Sequence, residues 1–354
     1  MCANGLLHLS TRNLLPPDQR FFSINGSPVN FDPEAAKPER WLRFMEELFP
    51  DEPDCIVTLQ EATGYFLTQD TSLQKIIQFV GPSRAGKGVY TRVLQDLIGL
   101  GGYTSPTTRG ISSDFGLQSF IGKQLAVVSD LRLGKSDGHG ALVETLLTVS
   151  GEDSVSIQRK YLDNWEGKLN TRFLLVSNEM LQLRDTSDAL GARMIVVITR
   201  QSFLGREDES LTDKLRTELP GILNWALEGL DRLQARGHFI QPQTCIDEVR
   251  LMHKMTSPVK CFLDTQTIVG PGHMVQKRRL WQAFHEWLEE EGLSYRGEMA
   301  HFFKDINSAG GRYIQSRLRE KGKRVAYLNG LDVEQDFLDY IHQDAVKDFT
   351  DQEL

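Results

Sequence analysis

Ile76-Ile-Gln-Phe-Val80 runs directly into Gly81-Pro-Ser-Arg-Ala-Gly86-Lys87-Gly88, and Val89 to Ile98 follows with helical spacing. Strand, glycine loop, helix is the context in which a phosphate-binding loop works. Backbone N–H groups of Gly81, Pro82, Ser83, Arg84, Ala85, Gly86, Lys87, Gly88 and Val89 (proline excepted) are placed to wrap an anion, and the helix N-terminus favours negative charge. Lys87 is the residue that reaches the β- and γ-oxygens of a nucleotide. The usual pattern ends in Lys-Ser or Lys-Thr. Gly88 stands in the hydroxyl position here, so the customary Mg²⁺ ligand is missing from the motif, and Thr91 or water is left to replace it.

Working outward, three more apolar runs have the length and aliphatic character of buried strands: Leu125–Ser129, Arg172–Ser177 and Met194–Thr199. The first ends in Asp130, 43 residues after Lys87. A carboxylate at that point can hold Mg²⁺ directly or through water. The second ends in Asn178, whose carboxamide can orient water and read a γ-phosphate. Fifteen residues later Arg193 opens the last strand, and an arginine at a subunit edge can stabilise charge on a neighbour's phosphate. Taken singly, Asn178 reads as a turn residue and Arg193 as a surface ion pair; their order after the loop favours the catalytic roles. Helical patterns at Val89–Ile98 and Ala141–Val149 complete an α/β layering.

The flanks have a different texture. Residues 1–36 read as short strands and turns. Trp41, Phe44, Met45 and Leu48 fall at helical spacing, and a second helical run covers Cys55–Phe66. Leu211 to Ala235 is helical with a break at Pro220-Gly221. Val269-Gly-Pro-Gly272 has the composition of a linker. Beyond it Leu280, Trp281, Phe284, Trp287 and Leu288 share a helix face, which reads as a core face. Met299–Ile306 is a second amphipathic run, and Ile314–Glu320 with Arg324–Leu328 forms a helix–strand ending. Helices with a basic strand pair in so short a span suggest a winged-helix module, with Lys277-Arg-Arg279, Arg317, Arg319 and Lys321-Gly-Lys-Arg324 as candidate phosphate contacts.

The ordered motifs resemble those of superfamily 3 helicases, and more closely the helicase half of phage and plasmid primase–helicases, related to the poxvirus helicase–primase. The matching residues are the phosphate loop, Val127-Val-Ser-Asp130, Gly151-Glu-Asp-Ser-Val-Ser-Ile-Gln-Arg159-Lys160-Tyr161, Leu174-Leu-Val-Ser-Asn178-Glu179 and Ala189-Leu-Gly-Ala-Arg193. Further matches are Glu207 to Gly229 and the N-terminal segment ending in Leu59-Gln-Glu-Ala-Thr-Gly-Tyr-Phe-Leu-Thr68. The resemblance implies an α/β protein with a P-loop AAA+-like ATPase core. Its expected domains are a small, mainly helical N-terminal domain over 1–70, the core over 71–240, a winged-helix-like domain over 241–330 and an acidic tail over 331–354. It implies ATP and Mg²⁺ as cofactors, with Lys87 on phosphate, Asp130 on the metal, Asn178 as sensor and Arg193 reaching a neighbouring subunit. Single-stranded or forked DNA would thread a homo-oligomeric ring, usually a hexamer, and meet a β-hairpin carrying Arg159 and Lys160, with Lys168 in reserve. A primase domain or protein is a further implied partner. The implied activity is ATP-dependent DNA unwinding in phage, plasmid or mobile-element replication. The alternative is an ATP-assembled initiator that does not unwind processively.

Composition agrees with that reading without deciding it. The net charge of -8 is concentrated: Asn329–Leu354 holds eight acids and one base, leaving -1 for residues 1–328, and His273–Leu328 carries +4. An acidic whole-chain balance argues against a uniformly basic nucleic-acid coat protein, while a ring concentrates its cations in the pore. The acidic end, with Phe337, Leu338 and Ile341, reads as a solubilising tail. Four cysteines without a CxxC pair argue against a zinc site and a disulfide framework. No apolar run reaches membrane-spanning length, and a bacterial or phage-infected host cytoplasm is the expected location.

Overall fold

A computed structural model describes residues 1–21, 23, 25–129, 139–180, 189–248, 258–308, 313–320 and 323–334. The chain forms two compact units, Met1–Asp247 and Glu248–Leu354.

In the first unit a short ribbon, β1 (Leu6–Leu7) and β2 (Leu14–Leu15), precedes helices α1 (Glu39–Leu48) and α2 (Pro53–Phe66). Then come β3 (Ile76–Val80), α3 (Lys87–Ile98), β4 (Tyr103–Thr104), α4 (Thr108–Ile111), β5 (Leu125–Val128), α5 (His139–Ser150), β6 (Ser154–Arg159), β7 (Leu162–Lys168), β8 (Arg172–Ser177), α6 (Ala189–Arg193), β9 (Met194–Ile198), α7 (Leu211–Arg216) and α8 (Leu219–Arg236). Five of the strands make a parallel sheet in the order β4-β5-β8-β3-β9. Strands β3, β5 and β8 are buried along their whole length, which is why they read as continuous apolar runs rather than alternating ones.

Successive residues of these strands face opposite ways. Ile77, Phe79, Val127, Leu174 and Val176 pack with Tyr90, Val93, Leu94 and Leu97 of α3. Ile76, Ala126, Val128, Phe173 and Leu175 pack with Leu142, Leu146 and Val149. The N-terminal helices belong to the first of these layers. Trp41 stacks on Tyr90 at 6.1 Å and meets Trp225 of α8 edge-on at 5.4 Å, while Phe49 stacks on Phe79 at 6.1 Å. Residues 1–70 and the sheet therefore share one core. Helix α1 begins with two backbone N–H groups, of Arg40 and Trp41, donating to the Glu218 carboxylate at 3.1 and 3.0 Å, a side-chain cap supplied from across the chain. Fully buried Glu61 on α2 pairs with Arg236 of α8. Pro220 lies in the first turn of α8, where its missing N–H costs nothing, so the helical stretch is interrupted at 217–218, between α7 and α8, and not at 220–221 as expected.

The second unit runs α9 (Pro258–Gln266), β10 (Thr267–Gln276), α10 (Lys277–Glu290), α11 (Met299–Ser308), β11 (Ile314–Glu320) and β12 (Lys323–Val333). Its sheet is antiparallel in the order β10-β12-β11. Two expectations are corrected here. Val269–Gly272 is not a linker but the irregular middle of β10, where the register with β12 shifts between Val269 and Met274; glycines in a strand commonly mark such a bulge. Ile314–Glu320 is a strand, not a helix. Its i, i+4 apolar pair suits a helix turn, but Leu318 lies opposite Val325 and the ladder decides.

The apolar face of α10 is core, as its spacing indicated. Leu280, Phe284, Trp287 and Leu288 are buried, and Phe284 stacks on Phe302 at 4.6 Å. The start of the acidic end, through Val333, is the last part of β12, with Leu331 and Val333 buried. Phe337, Leu338 and Ile341 lie outside the described residues. Among the described residues no helix is long and apolar enough to cross a membrane.

Candidate functional site

Parallel strands deliver their C-terminal ends to one edge of the sheet, and residues that follow them become neighbours. Val80 of β3 lies opposite Ser177 of β8, so Gly81 and Asn178 leave the sheet side by side. Gly81 N–H donates to Ser177 O at 3.3 Å. The loop is held open by its backbone: Arg84 and Gly86 both take left-handed φ, 59° and 76°. At Gly86 a Cβ would lie 2.9 Å from Leu48 Cδ2 and 3.0 Å from Phe44 Cε2. Helix α1 thus forms the back wall of the loop and leaves room only for glycine there. The segment after β9 braces the other side: Phe203 N–H donates to Arg84 O at 3.0 Å, and the Ser202 hydroxyl to Ser83 O at 3.1 Å.

Lys87 opens α3 and is buried. Its Nζ donates to Gly81 O at 2.5 Å, Pro82 O at 2.7 Å and Asn178 Oδ1 at 3.2 Å. Two residues 91 positions apart are thereby brought into contact. With its oxygen on the ammonium, the Asn178 carboxamide retains an NH₂ directed elsewhere. The loop fits a phosphate: an ammonium sits in its cradle, and a helix N-terminus begins there. Its fit to a divalent ion is weaker. Gly88 has no hydroxyl, and Thr91 donates its own to Lys87 O at 2.9 Å. Strand β5 ends at the same edge, one strand beyond β8, but Asp130 itself lies outside the described residues.

Arg193 is elsewhere. It ends α6, immediately before β9, and Met194 pairs with Ile76 at the start of β3. A five-residue strand is about 16 Å long, so Arg193 stands at the opposite edge from Lys87. Its Nη1 donates to Leu147 O at 2.6 Å and to Ser150 Oγ at 3.0 Å, at the C-terminal end of α5. Lys75 shares this edge and donates to Ala192 O at 2.6 Å. Burial lowers the Lys75 pKa, and the Arg193 charge lowers it further.

Strands β6 and β7 form an antiparallel hairpin between α5 and β8, with Arg159 opposite Leu162 at its tip. Arg159 Nε donates to Asp163 O at 2.7 Å. Lys160 Nζ lies 5.2 Å from the centroid of the Tyr161 ring. Tyr161 has a φ of 61° and is 92% exposed; Leu162 is 61% exposed. Sequence reasoning picked out the two cations and left Tyr161 without a role, although it stood next to them. Lys168 pairs with Ser154 at the hairpin's base. It lines a cavity of about 310 Å³ with Lys123, Trp165 and Asn170, and so does not sit with Arg159 and Lys160.

A family described as "Family of unknown function (DUF5906)" matches residues 79–193, the span from the strand feeding the phosphate loop to Arg193. Among solved structures, apo forms of the NrS-1 C-terminal region are similar in fold. One aligns with a TM-score of 0.56 at 11% identity, covering 85% of this chain and 78% of that one. A second gives 0.54 at 13% identity, covering 85% and 77%.

Proposed function

We propose that this chain is an ATP-dependent DNA helicase of the superfamily 3 type, acting as a ring of identical subunits on single-stranded or forked DNA during phage, plasmid or mobile-element replication. The observation that carries the reading is the contact of Lys87 with Asn178 at the C-terminal edge of a parallel sheet. The sheet order supports an AAA+-like core, because the phosphate-loop strand is interior, flanked by β8 and β9, with β5 and β4 following beyond β8.

ATP supplies the scissile phosphoryl group, and the protein contributes position and charge. Lys87 exchanges the loop carbonyls of Gly81 and Pro82 for β- and γ-oxygens. The NH₂ of Asn178 is then beside the γ-phosphate, where it orients the attacking water. Mg²⁺ falls to Asp130. Arg193 is too far across the sheet to serve its own chain's phosphate and reaches the site of a neighbour. The cationic pair it forms with Lys75 supports this, since such an edge attracts an anion from outside. The hairpin offers Arg159 and Lys160 to the DNA backbone and Tyr161 to a base face. The α-β-α-α-β-β order of the second unit supports a winged helix, with Lys277, Arg317 and Arg319 as backbone contacts.

The basic stretch His273–Leu328 within that unit, net +4, also favours a second reading, an initiator that uses ATP only to assemble on DNA. A forked-duplex assay with ATP and a non-hydrolysable analogue separates the two. Strand displacement that requires hydrolysis supports the helicase; assembly without displacement in either condition rejects it.

A further inference from the structure

Glu52, Cys55 and Cys245 converge although up to 193 positions separate them in the chain. One donor atom from each lies within 4.8 Å of the other two. Glu52 closes the bend before α2, Cys55 is in the first turn of α2, and Cys245 follows α8; both thiols are buried. We propose that these three side chains form a structural zinc site, a feature that spacing alone argued against because the cysteines form no CxxC pair.

Two of the three donor spacings match the edges of a tetrahedral ion's shell, and the third lies within 4.8 Å. Zinc–sulfur bonds of about 2.3 Å and a zinc–oxygen bond of about 2.0 Å put two sulfurs about 3.8 Å apart, and a sulfur and an oxygen about 3.5 Å apart. Cys55 Sγ lies 3.9 Å from Cys245 Sγ and 3.3 Å from Glu52 Oε2. The supporting hydrogen bonds are already in place, as metal ligands require. Glu52 Oε1 is held by Arg200, and Thr244 donates its hydroxyl to Oε2 at 3.0 Å. The N–H of Ile198 donates to Cys245 Sγ. Charge closes as well: two thiolates, one carboxylate, one guanidinium and a divalent ion sum to zero, which a buried cluster needs. The fourth position falls to water on the side of Glu52, whose side chain is 19% exposed.

Such an ion ties together three segments and, through Ile198 and Arg200, the end of β9 beside the phosphate-loop strand. Structural zinc contributes directly to folding free energy. The site does not depend on the ATPase reading. Binding deprotonates both thiols and releases those protons to solvent, with no change of oxidation state.

The full chain, reduced, stripped with a chelator and dialysed, is titrated with zinc chloride. One zinc per chain by elemental analysis and a rise in Tm of several degrees are expected. Cobalt(II) should give a thiolate-to-metal charge-transfer band in the near ultraviolet. Cys55→Ser and Cys245→Ser should each abolish the band and the zinc, while Cys261→Ser keeps both. The wild-type titration does not depend on the variants folding. Wild-type protein that binds no zinc and shows no cobalt band overturns the proposal. So does loss of the band in Cys261→Ser, or, in protein purified without reductant, a mass two hydrogens below that of the reduced chain together with a cross-linked Cys55–Cys245 peptide, which would identify a disulfide instead.

Discussion

At the C-terminal edge of the five-stranded sheet, Lys87 reaches Asn178 at 3.2 Å inside a loop walled by α1. At the opposite edge, Arg193 is tied to the end of α5 by Leu147 O and Ser150 Oγ, with Lys75 beside it. Both edges carry a cation expected to bind phosphate, yet only one has a cradle for it. Under the proposed ring assembly, the difference puts the subunit boundary at the Arg193 edge. Groups that act within one chain are assembled by the strand ends of one edge. On that proposal Arg193 acts on a neighbour, and its bonds to Leu147 O and Ser150 Oγ are ones it can exchange.

Replacing Lys87 with alanine tests the assembled edge, and its loss and that of Arg193 should have the two largest effects. It removes the cation from the cradle and should lower ATP hydrolysis by roughly a hundredfold or more. Retained hydrolysis in a folded protein would break the comparison at its first term. Replacing Arg193 with alanine should cost about a thousandfold, within the range of an arginine supplied by a neighbour, plus about 1 kcal/mol of stability from the uncapped α5 end. The decisive measurement mixes the two inactive variants. In a one-to-one mixed ring about a quarter of the interfaces join an intact Lys87 to an intact Arg193, so hydrolysis should reappear. If the mixture stays inactive while each variant still assembles, Arg193 acts as the cap of α5 and nothing more.

How much of this was legible beforehand depended on distance along the chain. The loop, β3, β5, β8 and β9 are local patterns of apolar runs and glycine spacing, and the structure places them as read. The hairpin also stood where the resemblance put it. The wall behind Gly86 was not legible, because Phe44 and Leu48 lie more than thirty positions away and their spacing indicated only a buried helix face. The same limit hid the meeting of Cys55 with Cys245, which no motif links. In the second unit the pattern misled: Gly270 and Gly272 looked like a linker, and Leu318 looked helical, until pairing with β12 set both. Ladders between distant segments override local propensity, and an antiparallel sheet with one bulged strand has weak local signals.

The hairpin sharpens the comparison from a third position, outside both edges. Exchanging Arg159 and Lys160 for glutamate should leave hydrolysis without DNA within about twofold, since neither residue touches the loop or Arg193. Single-strand binding should weaken and its salt dependence flatten, because each phosphate contact contributes about 0.7 to the slope. Tyr161→Ala should reduce affinity less, by roughly 1–3 kcal/mol for one lost base stack. Unchanged DNA binding in the double glutamate variant would remove the hairpin from the DNA path.

The smallest expected effect lies inside the assembled edge, at Gly88. A Cβ there would meet only Arg92 Nη1, at 3.3 Å, the movable end of a long side chain. Nothing in the backbone therefore demands glycine, in contrast with Gly86 two residues earlier, whose φ and neighbours do. Gly88 is the second residue of α3, where serine is a better helix former by about 0.5 kcal/mol. Gly88→Ser should accordingly raise the denaturation midpoint slightly. The hydroxyl also restores the group that usually meets Mg²⁺ in such loops, so the metal concentration for half-maximal hydrolysis should fall severalfold. The two readouts are separable. A stability gain with an unchanged metal requirement would show that the ion is held from the β5 side alone, and the assembled edge would then bind phosphate and metal through different strands.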